Sequence, residues 1–159
     1  MKGRNIKKVI KIVVMLAAAA FVSAQFIRPT FVNPPLVAGA PIEDSVQVPA
    51  EVQMVLSRSC NDCHSNKTLY PWYSQISPFS WFLAGHIEDG RAQLNFSEWN
   101  TYSAKKKAHK LEEISEMVES GEMPLPSYLW IHRDAALNAD QIKLLSDWAK
   151  GARALMPSE

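Results

Sequence analysis

The sequence predicts an all-α protein. Apolar residues recur at three- and four-residue spacing in four separate stretches, capping residues and glycines bracket several of them, and nowhere do several residues alternate strictly between apolar and polar. No sheet is therefore expected.

The first stretch is a basic region, Lys2, Arg4, Lys7, Lys8 and Lys11, followed by an apolar run from Ile12 to Val22. This order marks an export segment. Val22-Ser23-Ala24 fits a small-residue cleavage site with Gln25 as the first mature residue. The apolar character resumes at Phe26-Ile27, however, and Val9 to Ile27 is just long enough to span a bilayer if Lys11 snorkels. Residues 1–27 are thus expected to anchor the protein in the cytoplasmic membrane of a bacterium, with the rest on the periplasmic side; cleavage would leave it soluble in the periplasm. Five of the 17 basic and none of the 16 acidic residues fall in residues 1–24, so the exported part carries a net charge of −4. That balance excludes a nucleic-acid binder and is compatible with a partner that offers a basic face.

From Arg28 to Pro49 the prolines Pro29, Pro34, Pro35, Pro41 and Pro49 outnumber periodic apolar residues, and 28–49 reads as an extended tether reaching roughly 60 Å. Residues 50–152 suit one small domain whose core is completed by a large cofactor, with 153–159 as a tail. The spacing of Val52, Val55 and Leu56 predicts a helix from Pro49 to Arg58. A second helix should be capped by Ser77, begin at Pro78, turn Phe79, Phe82, Leu83, His86 and Ile87 inward, and stop at Gly90. A third is expected over 104–120 before Gly121, with Ala108, Leu111, Ile114, Ser115 and Val118 in register, although its lysines and glutamates run against the helix dipole. For the last, Asn138 and Gln141 form a capping box, Ile142, Leu145, Trp148 and Ala149 face inward, and Gly151 follows the end.

Between the first two helices lies Cys60-Asn61-Asp62-Cys63-His64, which holds both cysteines of the chain. Cys-x-x-Cys-His is the spacing of c-type haem attachment: each thiol can form a thioether to a vinyl group, and the histidine then coordinates the iron. A dithiol redox motif would follow a strand, which the helical spacing before Cys60 opposes. A zinc site would need a second Cys or His pair that the sequence does not offer. One covalent haem c on Cys60, Cys63 and His64 is the leading reading, with a redox dithiol and a zinc site as alternatives.

The other axial ligand decides between electron transfer and binding of peroxide or a gas. Met123, in the loop Gly121-Glu122-Met123-Pro124-Leu125-Pro126, can be held over the haem by a rigid loop. His86 is the alternative distal ligand, and an open position is the third. Some of Tyr70, Trp72, Tyr73, Phe79, Trp81 and Phe82 should line the haem, and Arg91 either pairs with a propionate or lies at the surface. Met54 and Met117 read as packing residues, His109 and His132 as surface residues, and Met156-Pro157 as part of the tail.

A helix leading into Cys60-x-x-Cys63-His64, a Gly121-x-Met123-Pro124 loop, and a closing helix with Leu145-x-x-Trp148-x-x-Gly151-Ala152 resemble the class I cytochrome c plan. More closely, Cys60-Asn61-Asp62-Cys63-His64-Ser65-Asn66, Tyr70-Pro71-Trp72-Tyr73-Ser74, His86, Gly90-Arg91 and Asn95-Phe96-Ser97-Glu98-Trp99 are similar to bacterial haem-binding domain proteins, a cytochrome-c-like group. The resemblance covers residues 25–152 and implies a cytochrome-c-like domain that binds haem outside the membrane. The expected function is a membrane-tethered monohaem electron carrier with a redox partner protein at the membrane or in the periplasm. A haem peroxidase or a gas or redox sensor module is the alternative, and no other catalytic constellation is present.

Overall fold

The computed structural model describes residues 2–156, with side chains from Asn5 onward; Pro157 and the remaining tail, and the side chains of Lys2 and Arg4, lie outside the described residues. The described residues form seven α-helices and several 3-10 turns, with no strand among them. They divide into two compact units, one made of residues up to Val32 together with Tyr70–His86, the other of Asn33–Leu69 and the chain from Ile87.

In the first unit, α1 runs Lys2–Ala24. The span expected over Val9–Ile27 is not formed as one helix, because the chain turns after Ala24. Beyond Lys11 the helix offers only Ile12 to Ala24, about 20 Å at 1.5 Å per residue against roughly 30 Å of hydrocarbon. Among the described residues no helix is long and apolar enough to cross a membrane. The turn is fastened to the later part of the unit. Gln25 donates from Nε2 to the Ser77 carbonyl (3.0 Å) and accepts the Ser77 N–H at Oε1 (3.0 Å), while Arg28 donates to the Gln75 carbonyl (3.1 Å).

Helix α4, Phe79–Gln93, begins in this unit and ends in the other. It does not stop at Gly90, which lies inside it. Nor does its expected inward face hold throughout: Ile87 is buried, but Phe79 and Phe82 are each 56% exposed.

The second unit is built on α2 (Ala50–Ser59), α5 (Ala104–Ser120) and α7 (Ala139–Ala154), with α5 packed on α7 and α2 on α7. Val52, Val55 and Leu56 of α2, Leu111, Ile114 and Val118 of α5, and Leu145, Ala149 and Ala152 of α7 form its core with Phe96 and Trp99. Burying a large apolar side chain of this kind contributes about 1.5–3 kcal/mol. Residues 33–49 are no free tether, because Ile42 and Val46 enter that same core and the Asn100 side chain donates to the carbonyls of Gly39 and Pro41. Periodic spacing could not reveal this, since single apolar residues between prolines carry no period.

Both ends of α5 are closed, the second by Gly121 as expected and the first by Ser103, which the sequence reading did not single out. Ser103 accepts the Lys106 N–H, and Gly121 caps the other end at φ +75°, a left-handed conformation that costs glycine nothing. Several of the charges that oppose the α5 dipole find partners elsewhere in the unit. Lys106 lies over the Tyr102 ring, Lys107 donates to Asn100, Glu112 pairs with Arg153 (3.0 Å) and Glu119 with Lys150 (2.6 Å). The acidic end of α5 is thus matched to a basic end of α7. Lys150 and then Ser146 donate to Glu119 and hold its carboxyl below the usual range. In α7 the Asn138 and Gln141 capping box is complete, but Gly151 is helical, and the end comes at Ala154.

Candidate cofactor site

Helix α2 ends at Ser59, and Cys60 departs from helical geometry before the single turn α3, Asn61–His64. The His64 N–H donates to the Cys60 carbonyl (2.9 Å), a four-residue step that brings both side chains to one side of the turn. Cys60 and His64 line one cavity of about 260 Å³ in the second unit, with Leu56, Leu94, Phe96 and Leu145 among the apolar residues around it. Met123 lines it too. It is placed there by the Gly121 turn, after which its N–H donates to the Met117 carbonyl (3.1 Å). Met117, read from sequence as a packing residue, is a further thioether on the wall, whereas Met54 is exposed.

The imidazole of His64 is held in one orientation. Its Nδ1 lies 3.0 Å from the carbonyl oxygens of both Gly90 and Leu94. Carbonyls only accept, so Nδ1 carries the proton and Nε2 keeps the lone pair. This is the second partner by which an iron-ligating histidine is oriented. Burial holds the His64 pKa below the ordinary histidine value, outweighing the two carbonyl bonds, so the ring is neutral and able to ligate.

Gly90 makes this possible. A Cβ there would fall 2.7 Å from the Cys63 carbonyl oxygen and 3.0 Å from the Cys63 Cβ, so only glycine lets α4 approach the turn closely enough to present its carbonyls. Gly90→Ala is expected to cost about 1–3 kcal/mol by forcing backbone apart, measurable as a lower urea midpoint. It should also broaden the environment of His64 seen by NMR.

A polar web fixes the chain after the turn. Asp62 accepts from the Leu69 N–H (3.1 Å) and the Tyr128 hydroxyl (2.8 Å), and Asn95 donates to Asn66 (2.9 Å). The Ser97 hydroxyl accepts the Asn66 N–H (3.0 Å). Arg91 donates to the Ser65 carbonyl (2.9 Å), Asn33 (2.8 Å) and Thr68 (2.9 Å). Arg91 clamps the loop.

His86 sits in the other unit, where its Nδ1 is 2.8 Å from the Phe82 carbonyl and its ring lies 4.1 Å from the Phe82 ring. The aromatic residues expected against the haem, Tyr70 to Phe82, also belong to that unit, and Phe96 is the aromatic on the cavity wall. His109 pairs with Glu113 at the surface, and His132 stacks on Tyr128.

Cys60, His64 and Met123 on the wall fit a haem, whereas Cys63, the second expected thioether, does not line the cavity and packs against Gly90. The wall is mostly apolar, Nε2 of His64 has its lone pair, and the Ser59 hydroxyl on the wall is buried without a hydrogen-bond partner, a polar atom left for whatever fills the space. Both thiols are free, and burial pushes Cys60 up to about 12 and Cys63 up to about 11, with the neighbouring Cys63 and Asp62 charges adding to each respectively. Such neutral thiols are the opposite of a dithiol redox pair, whose nucleophile has a lowered pKa. Among the described residues no three His, Cys, Asp or Glu side chains are gathered to hold a metal ion.

The model of the haem-binding domain family matches residues 19–151, more than half of the chain. No curated protein and no solved structure matches it. The matched stretch takes in α2, the Cys60 to His64 turn, the Met123 loop and most of α7 alike, and the protein is accordingly a member of the haem-binding domain family.

Proposed function

We propose that the protein is an exported c-type haem protein that carries single electrons outside the cytoplasmic membrane. The observation that supports this best is the fixed His64 ring, which lines a cavity together with Cys60 and Met123. Cys60 and Cys63 would each hold the haem through a thioether, and His64 and Met123 would ligate its iron. A haem held in this way would supply a one-electron ferric–ferrous couple. The chain's own part is to fix that iron's surroundings: the Gly90 and Leu94 carbonyls orient His64, the apolar wall limits water, and the Gly121 turn delivers Met123. A site whose ligands are fixed in this way suits electron transfer, because little has to reorganise. The partner is a redox protein at the membrane or in the periplasm, and α1 directs export.

The test is expression in a bacterial host with active c-type maturation. Haem should stay with the polypeptide through acid-acetone extraction and denaturing electrophoresis. A chain of unmodified mass from that host would refute the proposal.

A further inference from the structure

The first unit carries a surface that the haem site does not use. From Ile12 onward, its two stretches, up to Val32 and from Tyr70 to His86, contain a single Asp, Glu, Lys or Arg, namely Arg28. Apolar side chains nonetheless stand outward. Phe26 is 86% exposed, Trp72 76%, Ile27 70%, and Phe79, Trp81 and Phe82 follow. On α1, every large apolar residue from Val9 to Val22 is at least half exposed. A helix that is apolar all round needs a non-aqueous neighbour.

We propose that this surface is a platform that rests in the outer face of a lipid bilayer, with α1 below it. The paired Gln25 and Ser77 bonds, the Arg28 bond to Gln75 and the Trp81 indole N–H donating to the Ile27 carbonyl (2.6 Å) tie the aromatic segment to the place where α1 ends. The apolar surface is therefore continuous from helix to platform. Dimensions favour the bilayer over a protein partner. The 20 Å or so of uncharged α1 falls about 10 Å short of the hydrocarbon thickness, and an interfacial apolar face sinks about 5–10 Å. Composition points the same way, since exposed tryptophans beside phenylalanines, without charges, are the make-up of a face that beds into the membrane interface, whereas protein-docking faces carry a polar rim. Lys7, Lys8 and Lys11 at the far end of α1 complete the positive-inside order.

The platform rests on the reading of an exported chain, and a photoreactive benzoylphenylalanine at Phe79 or Trp72 of the full-length protein in the host membrane tests both. Haem staining reports export and attachment, and the mass of the photoadduct reports what the platform touches. Covalent haem together with phospholipid adducts at both positions is the expected result. A haem-loaded chain whose probes label only protein, or nothing, would overturn the platform alone. A chain without covalent haem would overturn the export reading and, with it, the placement on the outer face.

Discussion

Cys60→Ala/Cys63→Ala is expected to abolish covalent haem and to destabilise the second unit by about 2–4 kcal/mol, the scale set by losing a group that binds only the native state. The reason lies in the core. The cavity wall includes Leu56, Ile114, Val118 and Leu145, which are also core residues of α2, α5 and α7, so what fills the cavity bridges the three helices that hold the unit together. Haem-stained electrophoresis should show no band for the double variant, and thermal unfolding should move to lower temperature. Each single variant should keep one thioether and an intermediate stability. If the double variant retained haem through denaturation, attachment would have to use other residues. If it lost haem with no change in stability, the cavity would not be where haem packs.

The helices were legible in the sequence where caps and period agreed. Ala104–Ser120 has Gly121 at its end and a clean apolar stripe, and those local signals were enough, although the Ser103 cap was not read. Gly90 and Gly151 misled for the same reason as each other: glycine is a common helix stop, but at Gly90 it answers a neighbour, the Cys63 carbonyl, that no local pattern contains. The site divides likewise. Cys60, Cys63 and His64 are adjacent in sequence, so their spacing is itself the signal. The carbonyls of Gly90 and Leu94 that orient His64 belong to backbone and have no residue-type signature. Arg91 and the Asn66, Asn95 and Ser97 contacts rest on long-range pairing, which a single sequence does not display. The outward aromatic segment was misjudged because the period of an apolar helix face does not reveal whether that face meets a core.

Met123→Ala should remove the weak red charge-transfer band of an iron–thioether bond from the oxidised protein, lower the reduction potential, and let carbon monoxide bind the reduced form. The potential falls because thioether ligation favours ferrous iron, and carbon monoxide gains access because the alanine side chain cannot reach the metal. Met117 lies on the same wall, so Met117→Ala is the necessary comparison, expected to leave the band in place while loosening the packing behind it. His86→Ala should also preserve the band, since the His86 ring is already engaged with the Phe82 carbonyl and ring in its own unit. If His86→Ala instead turns the haem high-spin while Met123→Ala leaves the spectrum unchanged, the distal ligand is His86. If no single change alters the spectrum and the wild type binds carbon monoxide freely, the sixth position is open. The domain would then be built to sense or activate a ligand rather than to pass electrons.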